Sequence, residues 1–142
     1  MKLCDVMTKE VTSLNVDDTV EKAAQMMKEN NVGSIPVCRD GKIAGIITDR
    51  DITLRSIGEG KNISSIKVSS IMSSNPVTGN LNMDVHEAAK LMAENQIRRL
   101  PVVENNAVVG MLSLGDLAVE PKFENEAGDA LSQISENTTS SI

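Results

Sequence analysis

Apolar residues recur along this chain with two different periods, and the same succession of periods occurs twice. Val20, Ala23, Ala24 and Met27 fall at i, i+3, i+4 and i+7, the stripe of an amphipathic helix, and Val85, Ala88, Ala89 and Met92 repeat it. Asp18 with Glu21, and Asp84 with Glu87, place a candidate N-cap three residues before an acid at each helix start. After each helix comes a short strand, Ser34 to Cys38 or Arg99 to Val103, with a proline that cannot donate to a ladder and so predicts an edge or strand-end position. A turn at Arg39-Asp40-Gly41 or Glu104-Asn105-Asn106 leads into a second strand, Ile43–Ile47 or Val108–Leu112, which predicts an antiparallel hairpin. A second helix is expected after Thr48 and after Ser113.

Sliding the sequence by 65 residues lays residues 7–52 over residues 72–117, so the chain is a duplication. Met7 meets Met72, Pro36-Val37 meets Pro101-Val102, Gly45 meets Gly110 and Asp51 meets Asp116; one early slip sets Val11-Thr12 against Val77-Thr78. The expected fold class is therefore α/β (α+β), two tandem β-α-β-β-α repeats. Each repeat is too small to bury a stable core alone, so the two are expected to pack on each other with pseudo-twofold symmetry, leaving two equivalent clefts. The expected boundaries are 1–58 for the first repeat with an N-terminal segment, 59–68 for a linker marked by Gly58 and Gly60, and 69–121 for the second repeat. Residues 122–142 form an acidic extension, a short helix through Ala127, Ala130, Leu131 and Ile134 and then a polar tail expected to be disordered.

Composition narrows the chemistry. Of 142 residues 40% are apolar but Phe123 is the sole aromatic, so a planar ligand would lie between aliphatic side chains and backbone. The net charge of -6 argues against direct binding of nucleic acid. Residues 119–142 set five acidic side chains against Lys122 and carry -4 of it, leaving -2 on the body, which does not exclude an anionic small ligand. Without a long apolar run or a signal-peptide pattern, the chain is expected to be cytoplasmic, with no membrane partner. Cys4 and Cys38 have no metal-ligand spacing and are expected to be small packing residues. His86 is the single histidine and falls on the exposed side of its helix; there is no P-loop, no metal cluster and no Ser-His-Asp set. No catalytic residue, metal ligand or required cofactor is assigned, and the chain is expected not to be an enzyme.

The most specific local pattern is Gly45-Ile46-Ile47-Thr48-Asp49-Arg50-Asp51, echoed by Gly110-Met111-Leu112-Ser113-Leu114-Gly115-Asp116. A hydroxyl residue three before an acid is close to a capping box, which satisfies free N–H groups at a helix start. The same atoms also suit a ligand: a helix N-terminus favours phosphate, and an ionised carboxylate matches the two adjacent hydroxyls of a ribose. A strand glycine would let that ligand approach the backbone. Both readings stand on sequence alone.

These duplicated turns, together with Val-Gly-Ser-Ile-Pro-Val at 32–37 and Ile-Arg-Arg-Leu-Pro-Val at 97–102, resemble a pair of CBS domains, a Bateman module. The resemblance runs from Val6 to about Val119 and implies a regulatory module for adenosine-containing ligands: AMP, ADP, ATP, NAD or S-adenosylmethionine. It implies that the aspartate holds the ribose, that the hydroxyl residue helps, and that the proline strand and the opening Val-Thr segment wrap the adenine. It also implies that each site is completed by the other repeat. Thr48 and Asp51, with Arg50 at the helix start, would then join Val77, Thr78, Arg98, Arg99, Leu100 and Pro101. Ser113 and Asp116 would join Val11, Thr12, Ser34, Ile35 and Pro36. Arg98 and Arg99 stand where the first repeat has Gly33 and Ser34, so the Asp51 site is expected to be the better phosphate site. The family, and extra apolar positions such as Met26 and Leu91, imply a homodimer; an effector protein is expected but not identified. The alternative reading is a protein-interaction or dimerisation module with no physiological nucleotide.

Overall fold

The computed structural model describes residues 1–120 and 124–136. Its elements in chain order are α1 (Leu3–Val6), β1 (Leu14–Asn15), α2 (Val20–Asn30), β2 (Ser34–Arg39), β3 (Lys42–Thr48), α3 (Asp49–Arg55), β4 (Ser73–Ser74), β5 (Gly79–Asn80), α4 (Val85–Asn95), β6 (Arg99–Glu104), β7 (Ala107–Ser113), α5 (Leu114–Ala118) and α6 (Glu124–Glu136). Two 3-10 turns, Ile57–Glu59 and Val68–Ser70, lie between α3 and β4. This is a mixed α+β fold with two small sheets, one ordered β1-β2-β3-β4 and the other β5-β6-β7. Among the described residues no helix is long and apolar enough to cross a membrane.

The predicted stripes become α2 and α4, each ended by a residue in the left-handed region, Asn31 at φ 52° and Gln96 at φ 54°. Asp84 caps α4, accepting from the His86 N–H at 2.8 Å. For α2 the expectation fails by one residue. Asp18 is taken by the Asn15 N–H at 2.8 Å, and Thr19 caps instead, accepting from the Lys22 N–H at 3.1 Å.

The hairpins have two-residue loops with positive φ at both positions, Asp40 (52°) with Gly41 (78°) and Asn105 (52°) with Asn106 (66°). That is the turn whose twist matches paired strands. The prolines, expected at an edge or a strand end, lie near the start of strands that become interior further along. β2 and β6 are interior in their sheets, but β1 meets β2 only from Val37 onward and β5 meets β6 only from Val102 onward. Pro36 and Pro101 therefore precede the part of the strand paired on both sides.

Two compact units emerge, and they cut the chain differently from the repeats. Among the described residues, one holds Met1–Glu10, Val77–Glu104, 108–120 and 124–136; the other holds Val11–Pro76 and Asn105–Ala107. The segment leading each repeat packs in the unit of the other. Leu3 and Met7 join the core of Val85, Met92, Leu100, Leu112 and Leu117. Val68 and Ile71 join the core of Val20, Met27, Ile35, Val37 and Ile47. Part of the expected linker is held too, since the Ile63 and Ile66 carbonyls accept from the N–H groups of Glu21 and Val20 at 2.9 and 3.0 Å. In the acidic extension Ala127, Ala130 and Ile134 are buried, while Leu131 faces out. Phe123 and the tail expected to be disordered, 137–142, lie outside the described residues.

Candidate functional site

Each candidate turn forms where the second strand of a hairpin runs into a short helix. Thr48 is extended, at φ -116° and ψ 162°, and Ser113 repeats this at -117° and 160°. Thr48 Oγ1 accepts from the Asp51 N–H at 3.1 Å and Asp51 Oδ2 accepts from the Thr48 N–H at 3.0 Å. Ser113 Oγ and Asp116 Oδ2 do the same at 3.1 and 2.9 Å. The capping box is thus formed in both repeats. It does not exhaust the chemistry. An ionised carboxylate offers about four acceptor positions, and the box occupies one oxygen of each aspartate. Asp51 is 12% exposed, and its Oδ1 lies 3.8 Å from Arg55 Nε, while Asp116 has Glu120 at the corresponding step along the chain. The two carboxylates share a geometry and differ in the charge beside them.

Each turn is brought against the first residues of its own repeat's proline strand. Ser34, Ile35 and Pro36 lie opposite Thr48, Ile47 and Ile46. The Asp49 N–H donates to the Gly33 carbonyl at 2.9 Å, and the Leu114 N–H donates to the Arg98 carbonyl at 3.1 Å. The backbone at Arg98 therefore adjoins the start of α5. Within its compact unit, Thr48 and Asp51 lie with Val11, Thr12, Ser34, Ile35 and Pro36; the other unit holds Val77, Thr78, Arg98 to Pro101, Ser113 and Asp116. Ile35 and Leu100 are 1% and 0% exposed inside the two cores, so only their backbone can face a ligand. Pro36 and Pro101 are buried, Val11, Val77, Thr78 and Ser34 half-buried, and Thr12, Arg50, Arg98 and Arg99 exposed.

Two expectations about these turns are corrected. A Cβ on Gly45 would sit 2.6 Å from Met72 Sδ and 2.7 Å from the Ser73 carbonyl oxygen, and one on Gly110 would collide with Met7. The strand glycines make room for methionines, not for a ligand. The helices opened by the turns are only seven and five residues long, so little dipole accumulates to attract phosphate. Sequence reasoning misses Arg55 and the exchanged methionines, although Met7 with Met72 and Gly45 with Gly110 are aligned pairs in the duplication.

The remaining reactive groups lie apart from these turns. Cys4 and Cys38 are free and half-buried. Burial pushes the Cys38 thiol up, against a smaller opposing effect of a hydrogen bond with Ser13. His86, exposed as expected, has its Nδ1 3.1 Å from Glu126 Oε1. Among the described residues no cluster of three His, Cys, Asp or Glu side chains could hold a metal ion.

Comparison with known proteins agrees with this geometry. The family model for the CBS domain matches residues 3–58 and again 68–121. The CBS domain-containing protein YhcV of Bacillus subtilis is 46% identical over 131 residues, covering 92% of this chain and 93% of that protein. The CBS domain protein PAE2072 of Pyrobaculum aerophilum, solved in complex with AMP, superposes with a TM-score of 0.80 at 26% identity, over 90% of this chain and 98% of that one. A hexameric CBS-CP12 protein from bloom-forming cyanobacteria superposes with a TM-score of 0.76 at 26% identity, over 88% and 73%. With the hydroxyl-to-aspartate turn formed twice and the family model matched twice, the chain belongs to the CBS-domain family and carries two CBS repeats.

Proposed function

We propose that the chain is a regulatory module, not an enzyme, and that it binds an adenosine-containing ligand, AMP foremost, at the turns Thr48–Asp51 and Ser113–Asp116. The observation that carries this reading is the pair of carboxylates: one oxygen of each aspartate closes its capping box, and the other, beside Arg55 in Asp51 and beside no such cation in the sequence after Asp116, keeps acceptor capacity for a ribose diol. The AMP complex of PAE2072, whose whole length this chain nearly matches, supports the same ligand class. Arg98 and Arg99 are the phosphate readers, because both are exposed where the chain enters β6, beside the start of α5. With Arg98→Ala and Arg99→Ala combined, affinity for AMP should fall about tenfold or more while affinity for adenosine changes little. Equal losses for both ligands would contradict the assignment. Binding of neither ligand by the unaltered chain would favour a protein-interaction module instead.

The same reading includes assembly of two copies. Met26 and Leu91 are each partly buried against their own core, which leaves only part of each side chain for it. Leu54 and Ile57, 51% and 59% exposed on and just after α3, and Val119, 83% exposed just after α5, are among the apolar residues available for that contact.

A further inference from the structure

The second turn is built on less than the first. α3 runs seven residues and continues into the 3-10 turn Ile57–Glu59, with Arg55 Nη1 donating to the Ile71 carbonyl at 3.1 Å. α5 has five residues, and a helix that short does not hold itself. What stands against it is α6, an element outside the duplicated pattern that packs on both α4 and α5. Ala127 enters the same core as Leu117, the buried residue of α5, and Ala130 and Ile134 are buried as well. The face that receives α6 is adapted to it. Ala93, which lies against α6, occupies the position at which the first repeat has Lys28. Two polar contacts tie the helix down: His86 Nδ1 lies 3.1 Å from Glu126 Oε1, and Gln96 Nε2 donates to the Gln133 carbonyl at 3.1 Å. Each tie joins corresponding ends of α4 and α6, so the two helices run in the same direction.

α6 has little helical stability of its own. Gly128 lies inside α6 with nothing within 4 Å of where a side chain would be, and Glu126 Oε2 is buried without a hydrogen bond. A helix carrying a glycine and a buried orphan oxygen is helical because it is docked, and it can lift.

We propose that α6 is a displaceable strap that positions the Ser113–Asp116 turn, so that a ligand on that turn and the docking of α6 strengthen each other. The coupling rests on the ligand reading above; the positioning does not. Lifting α6 releases Leu117, loosens α5 and with it the carboxylate that closes the box, and a ligand bound there opposes the lifting by the same free energy.

Hydrogen exchange on the full chain, on a chain ending at residue 120 and on Ala130→Asp decides between a strap and a passive extension. Without ligand, protection across 114–120 should drop about tenfold in both altered chains, while 48–55 in the first repeat keeps its protection. Unchanged protection across 114–120 in a folded altered chain overturns the proposal. If the truncated chain loses protection everywhere, the comparison is made on Ala130→Asp alone, with the same two segments. With AMP at saturating concentration, protection of 124–136 should rise in the full chain. AMP that binds without that rise overturns the coupling. AMP that does not bind at all overturns the ligand reading and the coupling with it, leaving the positioning to the ligand-free comparison.

Discussion

Gly45 has no side chain because Met72 and the Ser73 carbonyl already occupy its place, and Gly110 makes the same room for Met7. Gly45→Ala should therefore cost about 1–3 kcal/mol, the usual range for forcing a methyl into a filled core against a carbonyl that cannot step aside. Gly115→Ala is the control. Its nearest neighbour would be Ser113 Oγ at 3.5 Å, and the change should stay within about 0.5 kcal/mol. Urea unfolding of the two variants separates these outcomes, and a Gly45 variant as stable as the parent would contradict the exchanged packing. The glycines are legible in the sequence as special positions, but what they make room for is not. Their partners lie more than 25 residues away or in the opposite repeat, and no local pattern carries that information. Thr48, Asp51, Ser113 and Asp116 are legible because a capping box is closed within four residues. Asp18 misleads for a local reason: the backbone N–H of Asn15, at the end of β1, competes for its carboxylate.

At the scale of elements, α2, α4 and both hairpins follow from sequence because helix stripes and two-residue turns are short-range properties. The prolines point to a strand end and do not show that the strand becomes interior beyond it. They signal a missing donor, and a missing donor is tolerated in an interior strand wherever its neighbour stops short, as β1 does before Val37. α6 is visible as four apolar positions, three of which are buried. Its docking on α4 and α5 is not visible, because Ala93 reads as an ordinary helix residue until it is compared with Lys28. Gly128→Ala should stabilise the chain by about 0.5–1 kcal/mol, since the site is open and a helical glycine costs that much relative to alanine. Thermal unfolding that shows no gain would mean that α6 does not melt together with the rest.

At the scale of the whole molecule, duplication gives two turns of one geometry in different electrostatic settings, with apolar surface exposed beside both, Leu54 and Ile57 at one and Val119 at the other. Leu54 and Ile57 predict self-association, so light scattering should give about twice the 15.2 kDa chain mass. A single-chain mass across a wide concentration range would contradict it. The central claim concerns the carboxylates, and Asp51→Ala is a poor probe of it because it also opens the capping box. Asparagine keeps an acceptor for the Thr48 N–H and removes the charge. Calorimetric titration of AMP into the parent chain, Asp51→Asn and Asp116→Asn is the most direct test. The account predicts binding by the parent and a loss of about ten- to hundredfold at the altered turn in each variant, with melting temperatures close to the parent's. No heat with AMP, ADP, ATP or NAD at millimolar concentration, or unaltered affinity in both variants, would contradict it.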